Sequence, residues 1–417
     1  MQTRLNRRTL LRGAAAGAAG AALAGPVTPR RTFAQQDAPI TLTWWDYYAE
    51  GANAAAMDAQ LARYMEAHPN VTIERTAIQF ADLKQRLLQG AAAGALPDIA
   101  VIDNPDHQAF AALGILEDLT ERVTAWGEAD NYFEGPWNST VYQGTNYGIP
   151  DNSNCLVLWH NTEFTGAASI TAPTNWDELT AAAAALTEGD RFGLAVSAIQ
   201  SEEGTFQWLP FLWATGEDIP SIDSEGGRRA LQLWVDLVEN GHMSQGILGW
   251  PQGDVLAQFQ NRQAAMMING PWQIPVITEQ SPDLQWEVAT LPQDVQGASI
   301  LGGENYSIVA GGENVDTAWE LLTWTQQPDN LKAYLQQAGK LPSRQDLAED
   351  SHWTGDPVLS IFVEQLKVAK PRAYGENYPE ISSAIQEAIQ AAISGQSSVE
   401  DALQTAQAVI TPLLPPS

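Results

Sequence analysis

Phe259-Gln-Asn-Arg-Gln-Ala-Ala-Met-Met-Ile-Asn-Gly-Pro-Trp272 joins an apolar run, a turn and a large aromatic ring in one short stretch. Residues 264–268 are small or linear apolar residues, which predicts a buried strand. Asn269-Gly270 is a strong turn signal, and Pro271 suits the first position of a following helix. Trp272 is therefore expected where a strand ends and a helix begins, which is where open α/β sheets bind ligands. The alternative is that Trp272 caps the core.

Strands and helices alternate along the rest of the chain. Residues 40–45, 71–73 and 97–102 read as strands, with amphipathic helices predicted between them at residues 54–67 and 80–93. This order predicts an α/β fold with a mainly parallel sheet and helices on both of its faces. After a segment rich in glycine and proline, a second unit of the same kind begins with a strand near residue 156.

The first 34 residues are predicted to be a targeting segment. Asn6-Arg7-Arg8-Thr9-Leu10-Leu11-Arg12 resembles a twin-arginine export signal, and the apolar stretch after it is too short for a membrane span. Cleavage is expected after Thr32-Phe33-Ala34 or after Ala22-Leu23-Ala24, and an ordinary secretory signal is the alternative. We expect an exported protein, in the periplasm or outside the cell. No cysteine lies near these sites, so no lipoprotein anchor is expected.

Charge and composition exclude several classes of function. The formal net charge is −29, which repels nucleic acid and anionic lipid and disfavours phosphorylated ligands. Cys155 is the only cysteine, so no intrachain disulfide is expected, and it is predicted to be a small buried hydrophobic residue. The five histidines form no spaced pair, which gives no metal site, and no nucleotide-binding or hydrolase motif is present. We expect no cofactor and no enzymatic activity.

Seven segments occur in the order typical of one family. Singly each is a weak signal. One of them, Leu158-Trp-His-Asn161, departs from the usual Tyr-Tyr-Asn. The others are Tyr64-Met-Glu-Ala-His-Pro-Asn-Val71, Leu87-Leu88 with Gly94 and Pro97-Asp98, Tyr147-Gly-Ile-Pro150, Pro173-Thr-Asn-Trp-Asp-Glu-Leu179, the opening stretch, and Gly339-Lys-Leu-Pro-Ser-Arg344. Together, over residues 38–405, they resemble the extracellular solute-binding proteins of ABC importers, in the large sugar-binding family that includes maltodextrin-binding protein.

The resemblance implies a fold of two α/β lobes joined by crossing segments. Residues 38–149 with 303–341 would form the first lobe, and residues 150–302 with 342–417 the second. It also implies a function: a monomer that closes on a small sugar, expected to be a di- or oligosaccharide, and docks on the permease subunits of an ABC importer. Neither the lobe boundaries nor the permease follows from periodicity.

Sugar recognition needs aromatic rings for stacking and planar polar groups for hydroxyls. The chain has fifteen tryptophans, and those in polar or turn-rich settings are the candidates. Carboxylates and amides after strands or crossing segments are expected to face the cleft, although helix capping is an alternative for Asp103. The resemblance adds a cleft loop containing an arginine and a tyrosine. The predicted ligand-binding residues are Trp44, Trp45, Asp46, Asp103, Asn104, Asp151, Asn152, Trp208, Trp213, Trp250, Trp272, Glu304, Asn305, Arg372 and Tyr374.

Two alternatives stay open at this point. Aromatic rings with carboxylates also form cages for cations such as a polyamine or choline, and Tyr47 and Tyr48 beside Asp46 would serve that purpose. A secreted enzyme acting on glycosides would need two carboxyl groups a few ångströms apart, which spacing along a chain cannot show.

Overall fold

The computed structural model describes residues 38–415, so the predicted signal segment lies outside the described residues. The strands are β1 Ile40–Asp46, β2 Val71–Ala77, β3 Ile99–Asp103, β4 Val141–Tyr142, β5 Thr145–Asn146, β6 Ile149–Pro150, β7 Val157–Asn161, β8 Phe192–Ala195, β9 Ala264–Asn269, β10 Trp286–Ala289, β11 Ser299–Ile300, β12 Glu304–Ile308 and β13 Ala369–Lys370.

Helices fill the segments between the strands. They are α1 Gly51–Ala67, α2 Phe80–Ala93, α3 His107–Ala112, α4 Thr120–Trp126, α5 Glu134–Ser139, α6 Thr162–Ala168, α7 Trp176–Leu186, α8 Glu202–Ala214, α9 Glu225–Glu239, α10 Gln252–Gln260, α11 Ile274–Gln280, α12 Val315–Thr325, α13 Pro328–Ala338, α14 Gln345–Ala348, α15 Ser351–Thr354, α16 Leu359–Leu366, α17 Tyr378–Ile393 and α18 Val399–Ile410. Within residues 38–415, no helix is both long and apolar enough to cross a membrane.

The first sheet has the strand order β2-β1-β3-β12-β6. Strands β2, β1 and β3 are parallel, as the alternation of strands and helices predicts. Strand β12 pairs antiparallel with both β3 and β6, because the chain comes back into this sheet from the second one. Helices α12 and α13 pack on α1, so the segment after β12 adds to the core of this sheet.

The second sheet has the order β10-β7-β9-β8. Strand β7 is antiparallel to both of its neighbours, so β8, β9 and β10 point in one direction and β7 alone is reversed. The two-lobe α/β prediction is confirmed. Strand β7 follows a crossing segment directly, whereas helices join β8 to β9 and β9 to β10, as parallel strands require. Helices α7 and α10 pack on the strands β8 and β9. Leu158 and Ile268 of the sheet belong to an apolar core that also contains side chains of α7, α8, α9 and α17.

Three segments of chain lie side by side between the two sheets. The backbone of Asn154 exchanges hydrogen bonds with Gly302, at 2.9 and 3.0 Å, and Ser153 exchanges them with Leu341, at 2.8 and 3.1 Å. Gly303 has φ +144°, and a Cβ there would lie 2.2 Å from the carbonyl oxygen of Asn152. Only glycine fits this close approach of two backbones.

Cys155 lies at the start of this second unit and is fully buried. Its Sγ donates to the carbonyl of Phe362 at 3.4 Å, and burial raises the pKa of the thiol well above its ordinary value. The structure therefore confirms a buried, unreactive cysteine.

A candidate ligand cleft between the two sheets

A cavity of about 260 Å³ opens where the two sheets face each other. Its walls combine aromatic rings, carboxyl groups, amides and two cations from both units. The lining residues are Tyr47, Tyr48, Asn53, Phe80, Asp103, Asn154, Glu202, Glu203, Phe206, Gln252, Gly253, Trp272, Gln273, Gly302, Gly303, Glu304, Lys340 and Arg372.

The wall on the side of the first sheet is built from three aromatic rings. Tyr47 and Tyr48 follow directly after β1, and Phe80 begins α2. The ring centroids of Tyr47 lie 5.0 Å from Tyr48 and 4.9 Å from Phe80, both in edge-to-face geometry. The backbone N–H of Tyr48 donates to Asp46 at 2.8 Å, which fixes the turn that carries the two tyrosines. This wall is therefore preformed.

The opposite wall carries Phe206 of α8 and Trp272, which lies in the 3-10 turn after β9. Their ring centroids are 6.3 Å apart. The indole packs flat over Gly270, where a Cβ would meet the ring at 1.9 Å. The Asn-Gly-Pro-Trp stretch thus needs glycine so that the ring can lie against the backbone and expose its other face. Trp272 is only partly buried, as a ring that receives a ligand must be.

One charged cluster in the cleft centres on Glu304, at the start of β12. It accepts hydrogen bonds from Tyr47 Oη at 2.7 Å, from Lys340 Nζ at 2.9 Å and from Asn152. Lys340 also donates to Tyr48 Oη at 2.6 Å. Burial alone would raise the pKa of Glu304, but Lys340 and the other donors hold it below its ordinary value. Glu304 is therefore ionised and fully paired within the protein.

A second cluster centres on Arg372, in the loop after β13. Its guanidinium donates to Asn104 at 3.1 Å, contacts Asp103 at 3.4 Å and pairs with Glu202 at the start of α8. It also lies over the ring of Phe206, 4.8 Å from the centroid. Arg372 thus links the end of β3, which belongs to the first sheet, to the first turn of α8.

Two carboxyl groups of the cleft have raised pKa values. Burial raises the pKa of Asp103 to about 7, although Arg372 opposes the shift. Burial also raises the pKa of Glu203 to about 7, although the backbone N–H of Gln252 donates to it at 2.6 Å. Both groups are near half-ionisation at neutral pH, so they respond strongly to any charge that enters the cleft.

Four of the residues predicted from the sequence line the cavity. They are Asp103, Trp272, Glu304 and Arg372. Asn104 lies just behind them and reaches the site through Arg372. A contact with ligand remains a prediction for each.

Several predicted ligand residues are core residues instead. Trp44 and Trp208 are fully buried, and Trp44 donates its indole N–H to Asp46 at 2.9 Å. Asp46 is also fully buried and is held by Arg75 at 2.7 and 2.8 Å. Trp213 donates to Asp218 at 2.9 Å, away from the cleft. The prediction of a ligand contact is wrong for these four, because each side chain is enclosed by its own lobe.

The remaining predicted residues lie near the cleft or away from it without lining it. Tyr374 is buried and donates to Asp218, as Trp213 does. The polar groups of the crossing segments are buried among one another, and those side chains are Asp151, Asn152 and Asn305. Trp45 and Trp250 are partly buried against apolar cores and do not line the cavity. The prediction of a direct contact is wrong for the four buried residues. For Trp45 and Trp250, which keep some exposed surface, a contact with ligand stays a prediction.

Sequence reasoning missed much of the lining. Phe206, Glu202 and Glu203 lie at the start of α8, where acidic residues are also expected simply to stabilise a helix N-terminus. Lys340 lies in the Gly339–Arg344 motif, which indicates the family but not a contact with ligand. From the sequence, Tyr47 and Tyr48 are candidates only in the cation alternative, although they follow a strand whose end is expected to face the cleft.

The described residues show no metal centre. Between residues 38 and 415, no group of three or more His, Cys, Asp and Glu side chains is placed to hold a metal ion.

Comparison with known proteins defines the class of this chain. Residues 59–360 match the family model described as bacterial extracellular solute-binding protein, and the chain belongs to that family. A binding protein of Brucella abortus (strain 2308) is 24% identical over 357 residues, which cover 82% of this chain and 85% of the relative. The galactooligosaccharide-binding protein of Bacillus subtilis (strain 168) is 21% identical, over 76% of this chain and 78% of that protein.

A solved structure shows the same architecture. The ABC transporter solute-binding protein of Thermotoga lettingae, bound with α-D-tagatose, superposes with a TM-score of 0.84 at 26% identity. The match covers 90% of this chain and all of that one. The family and its structural neighbours are binding proteins rather than enzymes.

Proposed function

We propose that this protein is the substrate-binding component of an ABC importer and that it captures a sugar between its two lobes. One observation carries the proposal. Aromatic rings from both walls, Tyr47, Tyr48 and Phe80 on one side and Phe206 and Trp272 on the other, line a single cavity together with carboxyl and amide groups. The described relatives that bind galactooligosaccharide or tagatose belong to the same class of protein and support the assignment.

The chemistry of the cavity suits a sugar. The faces of a sugar ring carry C–H groups that stack on aromatic rings, while hydroxyls at its edge donate to carboxylates and accept from cations and amides. The cavity offers the first kind of surface on its two walls. It offers the second kind at Asp103, Glu203, Asn154 and Gln273.

The volumes of two adjoining cavities support a ligand longer than one sugar ring. A second cavity of about 300 Å³ shares Tyr47, Phe80, Asp103 and Glu202 with the first. The first cavity alone, at about 260 Å³, is at the small end of ligand sites. A ligand that enters both would be a di- or oligosaccharide, which is the length we propose.

The mechanism is closure stabilised by ligand. Arg372, Asp103 and Glu202 already meet across the cleft, so the two walls approach each other closely enough for one small molecule to contact both. A ligand that contacts both walls binds the closed form better than the open form and shifts the population toward it. The closed protein would then present both lobes to the permease.

Thermal unfolding with a panel of ligands tests the proposal. A sugar that binds the folded state raises the melting temperature, by an amount set by its concentration relative to Kd. Mono-, di- and oligosaccharides, polyamines and choline should be compared at equal concentration. We expect a di- or trisaccharide to give the largest rise. A rise with polyamine or choline alone would contradict sugar capture.

Small-angle scattering tests whether the two lobes close on the ligand. Small-angle X-ray scattering of the protein with a ligand from that panel should show a smaller radius of gyration than the protein without ligand. An unchanged radius at saturating ligand would show that the lobes do not close and would remove the mechanism.

We also propose that residues 1–34 direct export of a monomer by the twin-arginine route, and that the lobes follow the boundaries given by the resemblance. Replacement of both Arg7 and Arg8 by lysine should stop export while the folded protein accumulates inside the cell. Continued export of that variant would favour an ordinary secretory signal.

A further inference from the structure

The cleft contains more acidic groups than cations to pair with them. Its lining includes the carboxyl groups of Asp103, Glu202, Glu203 and Glu304, against Lys340 and Arg372. Because protein walls replace part of the surrounding water, negative charges in the cavity repel one another more strongly than they would on an open surface. The distribution of ion pairs shows which carboxyl groups carry the excess.

Both cations are already engaged. Lys340 pairs with Glu304 at 2.9 Å. Arg372 is shared, with Glu202 as its close partner and Asp103 at the longer distance of 3.4 Å. One guanidinium therefore serves two carboxyl groups, and Asp103 receives the weaker contact.

Glu203 has no cationic partner among residues 38–415. Its partner is the backbone N–H of Gln252, at 2.6 Å, and the charge of nearby Asp254 acts on it unfavourably. Burial raises the pKa values of Asp103 and Glu203, and too little positive charge lies close to either group to cancel that effect.

The same two carboxyl groups accept few hydrogen bonds. Within the described part of the chain, Asp103 accepts only from Arg372, at 3.4 Å, and Glu203 only from the backbone N–H of Gln252. A carboxylate offers about four acceptor positions, so both groups lack donors as well as positive charge. An ammonium group supplies both, with three N–H donors.

We propose that the ligand is a sugar that carries a basic amino group, whose positive charge is received by Glu203 and Asp103. The aromatic walls fit this ligand, because a cation beside the face of a tyrosine or tryptophan ring is attracted to it. The inference rests on the proposed function, sugar capture, and narrows the sugar to a cationic one. It also combines the sugar and cation alternatives that the sequence left open.

Matched pairs of sugars test the charge directly. The pairs are glucosamine with glucose, and the fully deacetylated chitin disaccharide with cellobiose. In each pair the first sugar carries amino groups where the second carries hydroxyl groups. Titration calorimetry at pH 6.5 and low salt should give the amino sugar a Kd at least tenfold lower than its neutral partner. The preference should fall several-fold when salt is raised from 20 to 300 mM, because attraction between charges is screened.

Variants of two glutamates locate the charge. In Glu203→Gln the ratio of the two Kd values should fall to within about threefold of one, because the carboxylate that receives the ammonium is gone. Glu239→Gln is the matched control. It makes the same substitution at an exposed position at the end of α9, outside the lining, and it should leave the ratio within about twofold of wild type. Melting temperatures of both variants without ligand check that each is folded.

The possible results separate the two proposals. Neutral sugars that bind as tightly as their amino partners, or a preference that survives in Glu203→Gln, would overturn the amino-sugar inference and leave sugar capture intact. Failure of every sugar in both series, while a polyamine binds, would overturn sugar capture itself.

Discussion

Asp46 and Asp103 end two neighbouring parallel strands of the first sheet, yet only Asp103 faces the cleft. Asp46 accepts from Arg75 through both carboxylate oxygens, at 2.7 and 2.8 Å, and from Trp44 and the backbone of Tyr48. Asp103 has only the shared guanidinium of Arg372, at 3.4 Å. The same position on a strand therefore produces a structural carboxylate in one case and a candidate ligand group in the other.

The difference follows from which strand lies alongside. Strand β2 pairs with β1 in a register that puts Arg75 opposite Trp44, so an arginine of the same sheet reaches Asp46. Strand β3 is bordered by β1 and β12, and the arginine that meets Asp103 comes from beyond the crossing segments. A carboxylate that depends on the other lobe for its partner is free to change partner when a ligand enters.

The largest expected effect is on stability at the end of β1. Asp46→Ala leaves Arg75 without its main partner in a mostly buried position, and breaking a buried ion pair costs about 3 kcal/mol or more of folding free energy. Asp103→Ala is the matched variant and should change the free energy of unfolding by less than about 1 kcal/mol. Urea denaturation without ligand measures both. Equal losses would remove the distinction between the two strand ends.

This comparison also shows how far sequence reasoning reached. The parallel order of β2, β1 and β3, the Asn-Gly-Pro-Trp turn and the cleft position of Asp103 all follow from local patterns or from the family resemblance. The burial of Asp46 does not, because it depends on Arg75, a residue 29 positions away whose register is set by strand pairing.

Among the aromatic candidates too, burial depends on residues that are distant in the sequence. The sequence around Trp208 predicts a polar or turn-rich setting, but residues 204–214 of α8 are buried on every side. Local polarity did not reveal this, since the helix is enclosed by β11, α9 and α17, which come from distant parts of the chain. Trp272 was placed correctly because its position follows from the residues directly before it.

The next effect in size is on ligand affinity. Trp272→Ala removes one of the two rings on its wall and should weaken sugar binding by about 2 kcal/mol, or roughly 30-fold. Trp213→Phe is the control, because Trp213 is buried and its indole donates to Asp218 outside the cleft. Affinity measured by titration should be unchanged in the control. If Trp272→Ala binds sugar as wild type does, the ring belongs to the core and the cleft is misassigned.

A smaller effect is expected in the pH dependence of stability. In the unfolded chain Asp103 titrates near pH 4, whereas burial raises its pKa to about 7 in the folded protein. Between these values the folded state keeps a proton that the unfolded state has released, so this group makes stability fall as the pH rises from about 4 to about 7. His107 acts in the opposite direction, because burial lowers its pKa to about 3 and folding then favours higher pH.

Comparison with Asp103→Asn isolates the carboxyl group from the histidine. Relative to wild type, the variant should gain on the order of 1 kcal/mol of unfolding free energy between pH 6 and pH 7.5. Denaturation series at the two pH values measure the difference. A difference that does not change with pH would mean that Asp103 titrates normally in the folded protein and is not short of positive charge.

The smallest effect concerns Asp58, the second carboxylate that contacts Arg75. Asp58, on α1, pairs with Arg75 at 2.8 Å, nearly the same distance as Asp46, but its side chain is 66% exposed. Exposed ion pairs contribute little, because water and salt already solvate both charges, so Asp58→Asn should change the free energy of unfolding by less than about 0.5 kcal/mol. Urea denaturation beside Asp46→Ala compares two carboxylates that contact one guanidinium. A loss from Asp58→Asn as large as that from Asp46→Ala would show that the stability at this strand end comes from pairing with Arg75 wherever the partner lies, and that burial is not what separates Asp46 from the cleft residues.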